Sequence, residues 1–380
     1  LREVAGCIVS CLSPIQSAYR IVSDVFMVAD MSGADYDRMN RLYHDIRSAV
    51  DGVVATEKYK AIYTISGGLL SFRDLDESLP DTVDEIMKLS EFALTEAKNR
   101  GRNQMYFFRP DDYDLFLRTR YVRSCLRQAL ADNFKGFELY YQPIVLPNDG
   151  QLFAAETLLR FQSPSGEPIF PMEFIPILEE SGLIIPVGKW IIRKAADMCR
   201  ACREKYPEFR VSINLSYIQL TKGPVFAEVM EALKETGLPP DALIMELTES
   251  GYLENSVNVQ TVWHKFKEAG IQIALDDFGT GYSNLQNIGL FNPDIVKIDR
   301  SFTLRALQHS YERQLLSHII NMVHSINLRI VIEGVEEKEE QQQVLLLGSD
   351  FIQGYYYSRP CSREAFLRKY RIEEAKESRP

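Results

Sequence analysis

Ile271-Gln272-Ile273-Ala274-Leu275-Asp276 is a β-rich run that ends in a carboxylate, and Asp277-Phe278-Gly279-Thr280-Gly281 follows it at once. Period-two alternation puts Ala274 and Asp276 on one face. The same pattern recurs along the chain. Further β-rich runs cover Phe137 to Val145, Phe153 to Phe161, Phe209 to Leu215, Ala242 to Leu247, Ile295 to Ile298, Arg329 to Glu333 and Phe351 to Tyr356, with helical stretches between most of them. Eight such runs alternating with helices predict a closed α/β barrel, TIM-like in layout. In such barrels function gathers at the carboxyl ends of the strands.

Those ends are acidic and polar. They carry Glu156, Asn214, Glu246 with Glu249, Asp276 with Asp277, Lys297 with Asp299, Glu333 with Glu336, and Gln353. Ile244, Glu246 and Thr248 share a face, as do Ile295, Lys297 and Asp299. If these faces point inward, several carboxylates meet at one mouth, where they cannot all stay ionised. Hard divalent cations such as Mg²⁺ or Mn²⁺ resolve that repulsion with oxygen ligands. Two such ions could clamp a phosphodiester and activate a water. A single strand-end carboxylate is more simply a cap or an ion pair; a set spread over seven strand ends is not. On residue types alone the reading stops at a metal site in an α/β barrel, because fold does not fix function.

The segment from about Tyr140 to Pro360 resembles an EAL-type cyclic di-GMP phosphodiesterase domain. The resemblance rests on Tyr141-Gln142-Pro143-Ile144, Asn214-Leu215-Ser216, Leu247-Thr248-Glu249-Ser250, Asp276 to Ser283, Lys297-Ile298-Asp299, Glu333-Gly334-Val335-Glu336 and Gln353-Gly354-Tyr355, in the family's order. The signature reads Glu156-Thr157-Leu158, with Thr where the family usually has Ala. The resemblance implies hydrolysis of cyclic di-GMP to linear pGpG with Mg²⁺ or Mn²⁺, two ions in all. It implies that Glu156, Asn214, Glu246 and Asp276 hold one ion, and that Asp276, Asp277 and Glu333 hold or border the second, with Asp299 nearby. Lys297 would orient the attacking water, Glu336 and Gln353 would support the site, and Arg160 and Gln142 would contact substrate. The segment Asp277 to Asn284, steadied by Glu249, would couple metal binding to a homodimer formed through the barrel. A non-catalytic cyclic di-GMP receptor is the rival reading; the complete set of ligand positions argues against it.

Residues 1–110 read as a separate α+β unit that resembles the later part of a GGDEF domain, on Ala97-Lys98-Asn99-Arg100-Gly101-Arg102-Asn103 and Thr64-Ile65-Ser66-Gly67-Gly68. The place of the signature reads Val22-Ser23-Asp24-Val25-Phe26, without its glycines or its Glu, so a structural or regulatory role is expected rather than cyclase activity. Ile21 to Val28 and Tyr59 to Phe72 read as strands, and Ala34 to Val50 and Thr82 to Asn99 as helices. Pro110-Asp111-Asp112 reads as a turn-rich break. A connecting helix is expected within 111–135, the barrel in 136–370 and a polar tail in 371–380.

Composition narrows the rest. A net charge of −10 argues against nucleic-acid binding by counterion release. No apolar run reaches the roughly 18–20 residues of a membrane span. The first residue, Leu1, falls in mid-pattern, so the chain is expected to be a piece of a longer protein with any anchor upstream of it. Six scattered cysteines suit a reducing, cytoplasmic setting. Cys199 and Cys202 read as helix residues rather than a metal pair. His44-Asp45 reads as helix surface rather than the site of an HD-type hydrolase.

Overall fold

The computed structural model describes residues 1–33, 35–56, 64–72, 83–248, 257–279, 288–289 and 291–373. The chain divides into two compact units, Leu1–Arg120 and Tyr121–Pro380.

In the first unit, β1 (Gln16–Val22) and β2 (Val25–Asp30) form an antiparallel hairpin, and β3 (Gly67–Leu69) pairs in parallel with β4 (Met105–Phe107). The sequence reading ran one strand from Ile21 to Val28. The chain instead reverses at Ser23, which takes a left-handed φ of 49° without the glycine that usually marks such a turn. The helix Val83–Asn99 lies against β3 so closely that a Cβ on Gly68 would stand 2.2 Å from the backbone nitrogen of Leu94. Leu89, Phe92, Ala93, Ala97, Tyr106 and Phe108 make the core there. His44 and Asp45 are exposed on the helix Tyr36–Thr56, in keeping with their reading as helix surface. Pro110-Asp111-Asp112 is not a break but the first turn of the helix Pro110–Ala131. Proline suits a first helical position because its missing N–H would be unpaired anyway, and aspartates there favour the helix dipole. The division between the units falls inside this helix.

The second unit is the barrel. Its strands are β5 (Phe137–Val145), β6 (Leu152–Gln162), β8 (Arg210–Asn214), β9 (Leu243–Thr248), β10 (Gln272–Phe278), β11 (Ile295–Ile298), β12 (Arg329–Glu333) and β13 (Phe351–Gln353); the short strands β7 (Pro168–Ile169) and β14 (Cys361–Ser362) flank β6 and β5. From β6 through β13 the ring is parallel. β5 closes it, antiparallel to both β6 and β13. The strand expected to run to Tyr356 stops at Gln353. Gly354 presses its backbone onto Val335, where a Cβ would meet the Val335 carbonyl at 1.9 Å, and the chain turns there instead of continuing the ladder.

Inward-facing side chains stack in three layers. At the amino-terminal end Phe153 and Phe351 stack at 3.7 Å between centroids, with the guanidinium of Arg210 at 5.0 Å from Phe153. Arg329 stands beside the pair, 5.6 Å and 5.7 Å from the two centroids. In the middle lie Ile144, Ala154, Ile244, Ala274, Ile295 and Val331, all buried. The top layer holds the polar strand ends. Two aspartates fix neighbouring strands below. Asp294 accepts from the Ile273 backbone at 2.9 Å and from Lys267 at 2.6 Å, and Asp350 accepts from the Ile330 backbone at 2.7 Å and pairs with His324 at 2.8 Å.

The outer faces of the strands meet the helices in one apolar layer that includes Cys199 and Cys202, both buried in the helix Ile184–Arg203. Thr157 sits in this layer between Ala155 and Leu159, opposite Tyr141 and Ile213. Its hydroxyl is buried, and no hydrogen-bond partner is present among the described residues. An unpaired buried hydroxyl costs about 1–3 kcal/mol. Thr157→Val should therefore stabilise the barrel by about 1 kcal/mol, read as a higher urea midpoint at unchanged slope. A lower midpoint would mean that the hydroxyl has a partner.

Candidate metal centre

The top layer is organised by one cation. Lys297, in β11, is 1% exposed, and its ammonium contacts Glu333 Oε1 at 2.8 Å, Glu246 Oε2 at 2.9 Å, Asp276 Oδ1 at 3.1 Å and Glu156 Oε2 at 3.5 Å. The four carboxylates come from β6, β9, β10 and β12, in the carboxyl half of β9, β10 and β12 and midway along the longer β6. Oxygen atoms of Glu156, Glu246 and Asp276 lie within 4.8 Å of one another.

Amides steady the ring. Asn214 Nδ2 donates to Glu156 Oε1 at 2.9 Å, and Gln353 Nε2 donates to Glu156 Oε2 at 2.5 Å and to Gln142 Oε1 at 3.1 Å. Gln142 in turn donates to the Ser358 carbonyl at 3.2 Å. Ser212 Oγ donates to Glu246 Oε1 in a short hydrogen bond.

One ammonium cannot neutralise four carboxylates, three of them buried and Glu333 partly so. Burial, with repulsion from Asp276 and Glu156, pushes Glu333 up to about 8 against the pull of Lys297. Burial and the same crowding hold Glu246 well above its ordinary value and raise Asp276. Asp277 is pushed up to about 6 by burial and by its neighbour Asp276. Glu156 is the exception. Burial raises it, but Lys297 together with the bonds from Gln353 and Asn214 outweighs burial and leaves it lowered. Lys297 shows the reciprocal effect, because burial opposes its charge while the carboxylates hold it well above the lysine range.

The donor set fits a hard divalent cation, being carboxylate and amide oxygens without sulfur or imidazole. Gln353 Oε1 fits too: it is buried in the same cluster and has no hydrogen-bond partner among the described residues. An added divalent charge would let the crowded carboxylates release their protons.

Other residues singled out in the sequence have different settings. Asp277 follows Asp276 in a left-handed conformation, φ 57°, and its backbone N–H donates to Asp276 Oδ1 at 2.9 Å. Asp299 caps the helix Arg300–Gln308, accepting from the Ser301 backbone at 2.7 Å. Glu336 pairs with Arg300 at 2.5 Å. Arg160 lies over the Tyr140 ring at 5.3 Å and donates to the Leu159 carbonyl. Glu249 and positions 280–284 lie outside the described residues. Ser212 was overlooked in the sequence, although period two places it on the same face as Asn214.

Removing the central cation leaves buried carboxylates uncompensated, which typically costs about 3–5 kcal/mol. Lys297→Met should lower unfolding stability by that order in chelator at pH 8. The sign with pH follows from the raised acids. Glu333, Glu246 and Asp276 bind protons more tightly folded than unfolded, so their contribution to stability falls as pH rises from the ordinary carboxylate range to about 8. The loss in Lys297→Met should thus shrink at pH 5. Equal stability of parent and variant at pH 8 would contradict the arrangement.

Comparison with known proteins agrees with this geometry. Residues 124–360 match the EAL domain family. An uncharacterized protein of Synechocystis sp., sll1895, is 34% identical over 283 residues, covering 74% of this chain and 40% of the relative. The cyclic di-GMP phosphodiesterase PdeR of Escherichia coli K12 is 32% identical over 286 residues, covering 75% of this chain and 43% of PdeR. The chain thus spans less than half the length of these curated relatives. Among solved structures, the PaMucR phosphodiesterase in complex with c-di-GMP superposes with a TM-score of 0.59 at 33% identity, over 65% of this chain and 99% of that one. With a TIM-like α/β barrel that gathers acidic side chains inside one mouth, the chain belongs to the EAL domain family.

Proposed function

We propose that the barrel hydrolyses cyclic di-GMP to linear pGpG. The observation that carries this reading is the buried group Glu156, Glu246 and Asp276 gathered around Lys297, with Asn214 and Gln353 bonded to Glu156. Relatives with phosphodiesterase names supply the substrate class.

Glu156, Asn214, Glu246 and Asp276 would hold one divalent ion, Mg²⁺ or Mn²⁺, and Asp276, Asp277 and Glu333 a second, with Asp299 alongside. Such ions neutralise phosphate charge and acidify water. Lys297, fixed by its carboxylates, donates a hydrogen bond that orients the attacking water. Glu333, where it borders the second ion, would accept the proton that this water gives up. The water oxygen bonds to phosphorus, one phosphodiester P–O bond breaks, and the departing sugar oxygen takes up a proton from solvent to leave as a hydroxyl, which opens the ring. Arg160 offers charge to a phosphate, and Gln142 and Gln353 offer amide edges to the substrate, while Glu336 supports its loop through Arg300. Residues 1–110 are read as a partial, degenerate GGDEF-like domain with a structural or regulatory role.

Incubation of purified protein with cyclic di-GMP and Mg²⁺ or Mn²⁺ should yield the linear dinucleotide. Turnover at limiting metal should rise between about pH 6 and 8, as Asp277 and Glu333 give up protons. The same protein given GTP should form no cyclic di-GMP. Tight binding without turnover under either metal would replace the phosphodiesterase with a receptor.

The reading includes a homodimer through the barrel, coupled to the metal site by the segment from Asp277 to Asn284. Coupling is reciprocal, so metal and substrate should favour the dimer. Sedimentation velocity should show the dimer fraction rising with both. A monomer that is fully active at every concentration would remove this part.

A further inference from the structure

Ser212 interrupts an otherwise apolar layer. Beneath the carboxylates the barrel interior consists of Ile144, Ala154, Ile244, Ala274, Ile295 and Val331. Ser212 is as inaccessible as these residues, and in β8 it stands opposite Glu156 on β6 and Ile244 on β9. Two alanines in the same layer show that a small apolar side chain packs there, so size does not explain the hydroxyl. A buried hydroxyl without a partner is costly. This one has a partner, and it is Glu246 Oε1.

The other oxygen of Glu246 faces Lys297 at 2.9 Å. The terminal torsion of a glutamate is broad, so one contact leaves the carboxylate free to rotate. Donors on both oxygens fix its plane. Glu156 is held in the same way, by Asn214 on Oε1 and by Gln353 on Oε2. Each of these two glutamates therefore has one donor from β8, Ser212 for Glu246 and Asn214 for Glu156.

We propose that Ser212 is a positioning residue for the metal centre, setting the plane of the Glu246 carboxylate so that it and Glu156 present oxygens to one divalent cation. The inference rests on the metal reading above and extends it to a residue that touches neither substrate nor cation. Groups that orient metal ligands typically change metal affinity by about 10–100-fold when removed.

Titration calorimetry of the whole protein with MnCl₂ tests this. The parent, Ser212→Ala and Ser212→Thr are compared, with circular dichroism to show that each is folded. Ser212→Ala is expected to bind Mn²⁺ about tenfold more weakly. Ser212→Thr, which keeps the hydroxyl, is expected to recover most of that loss. Ser212→Ala binding Mn²⁺ as the parent does would overturn the inference alone. Equal weakening in Ser212→Thr would also overturn it, because the hydroxyl would not be the cause. A parent that takes up no Mn²⁺ would overturn the metal reading and this inference with it.

Discussion

The contact of one buried ammonium with three buried carboxylates and a fourth, partly buried one is the constraint on which the upper half of the barrel depends. Lys297 and its partners come from five different strands, so their meeting requires the closed ring and its register. A slip of one residue in any of these strands would turn its charged side chain into the apolar helix layer and bring an aliphatic one to the mouth. The cluster is thus both a product of the fold and a demand upon it. Its charges are unbalanced by design of position, since burial and crowding raise Glu246, Asp276 and Glu333 while Lys297 and two amides keep Glu156 ionised. A site that holds protons it would release to a divalent cation is chemically suited to that cation.

The layers below make this possible. The aliphatic middle layer keeps water from reaching the carboxylates from beneath, which strengthens every electrostatic interaction above it. The Phe153–Phe351 stack with Arg210 and Arg329 closes the opposite end. Burial lowers the Arg329 guanidinium, helped by repulsion from Arg210 and opposed by Asp294 and Asp350. Polar ends with an apolar waist give a barrel packed through its middle and acidic at one mouth.

Much of this was legible in the sequence, for a physical reason. Parallel strands buried on both faces leave continuous apolar runs, and period two within Ile295 to Ile298 or Ala274 to Asp276 identifies which side chains share an interior. The eight strands therefore lie where the runs lie. What escaped is what depends on partners distant in sequence. Nothing near Ser212 in the chain indicates that its hydroxyl meets Glu246, and nothing near Glu336 indicates Arg300. Gly354 ends its strand because Val335 lies against it, which a local pattern cannot carry. The hairpin at Ser23 lacks a glycine or asparagine signal, and Pro110 reads as a breaker unless it is recognised as a helix's first residue. The roles of Asp299, Arg160 and Glu336 came from resemblance, and each of these side chains has structural partners of its own.

The central claim is that the ring around Lys297 is a binding site for divalent cations. Anomalous diffraction from crystals grown with Mn²⁺ tests it directly. The account predicts a manganese peak within coordinating distance of Glu156, Asn214, Glu246 and Asp276. Crystals saturated with Mn²⁺ that show no peak there, with Lys297 still bridging the four carboxylates, would contradict it.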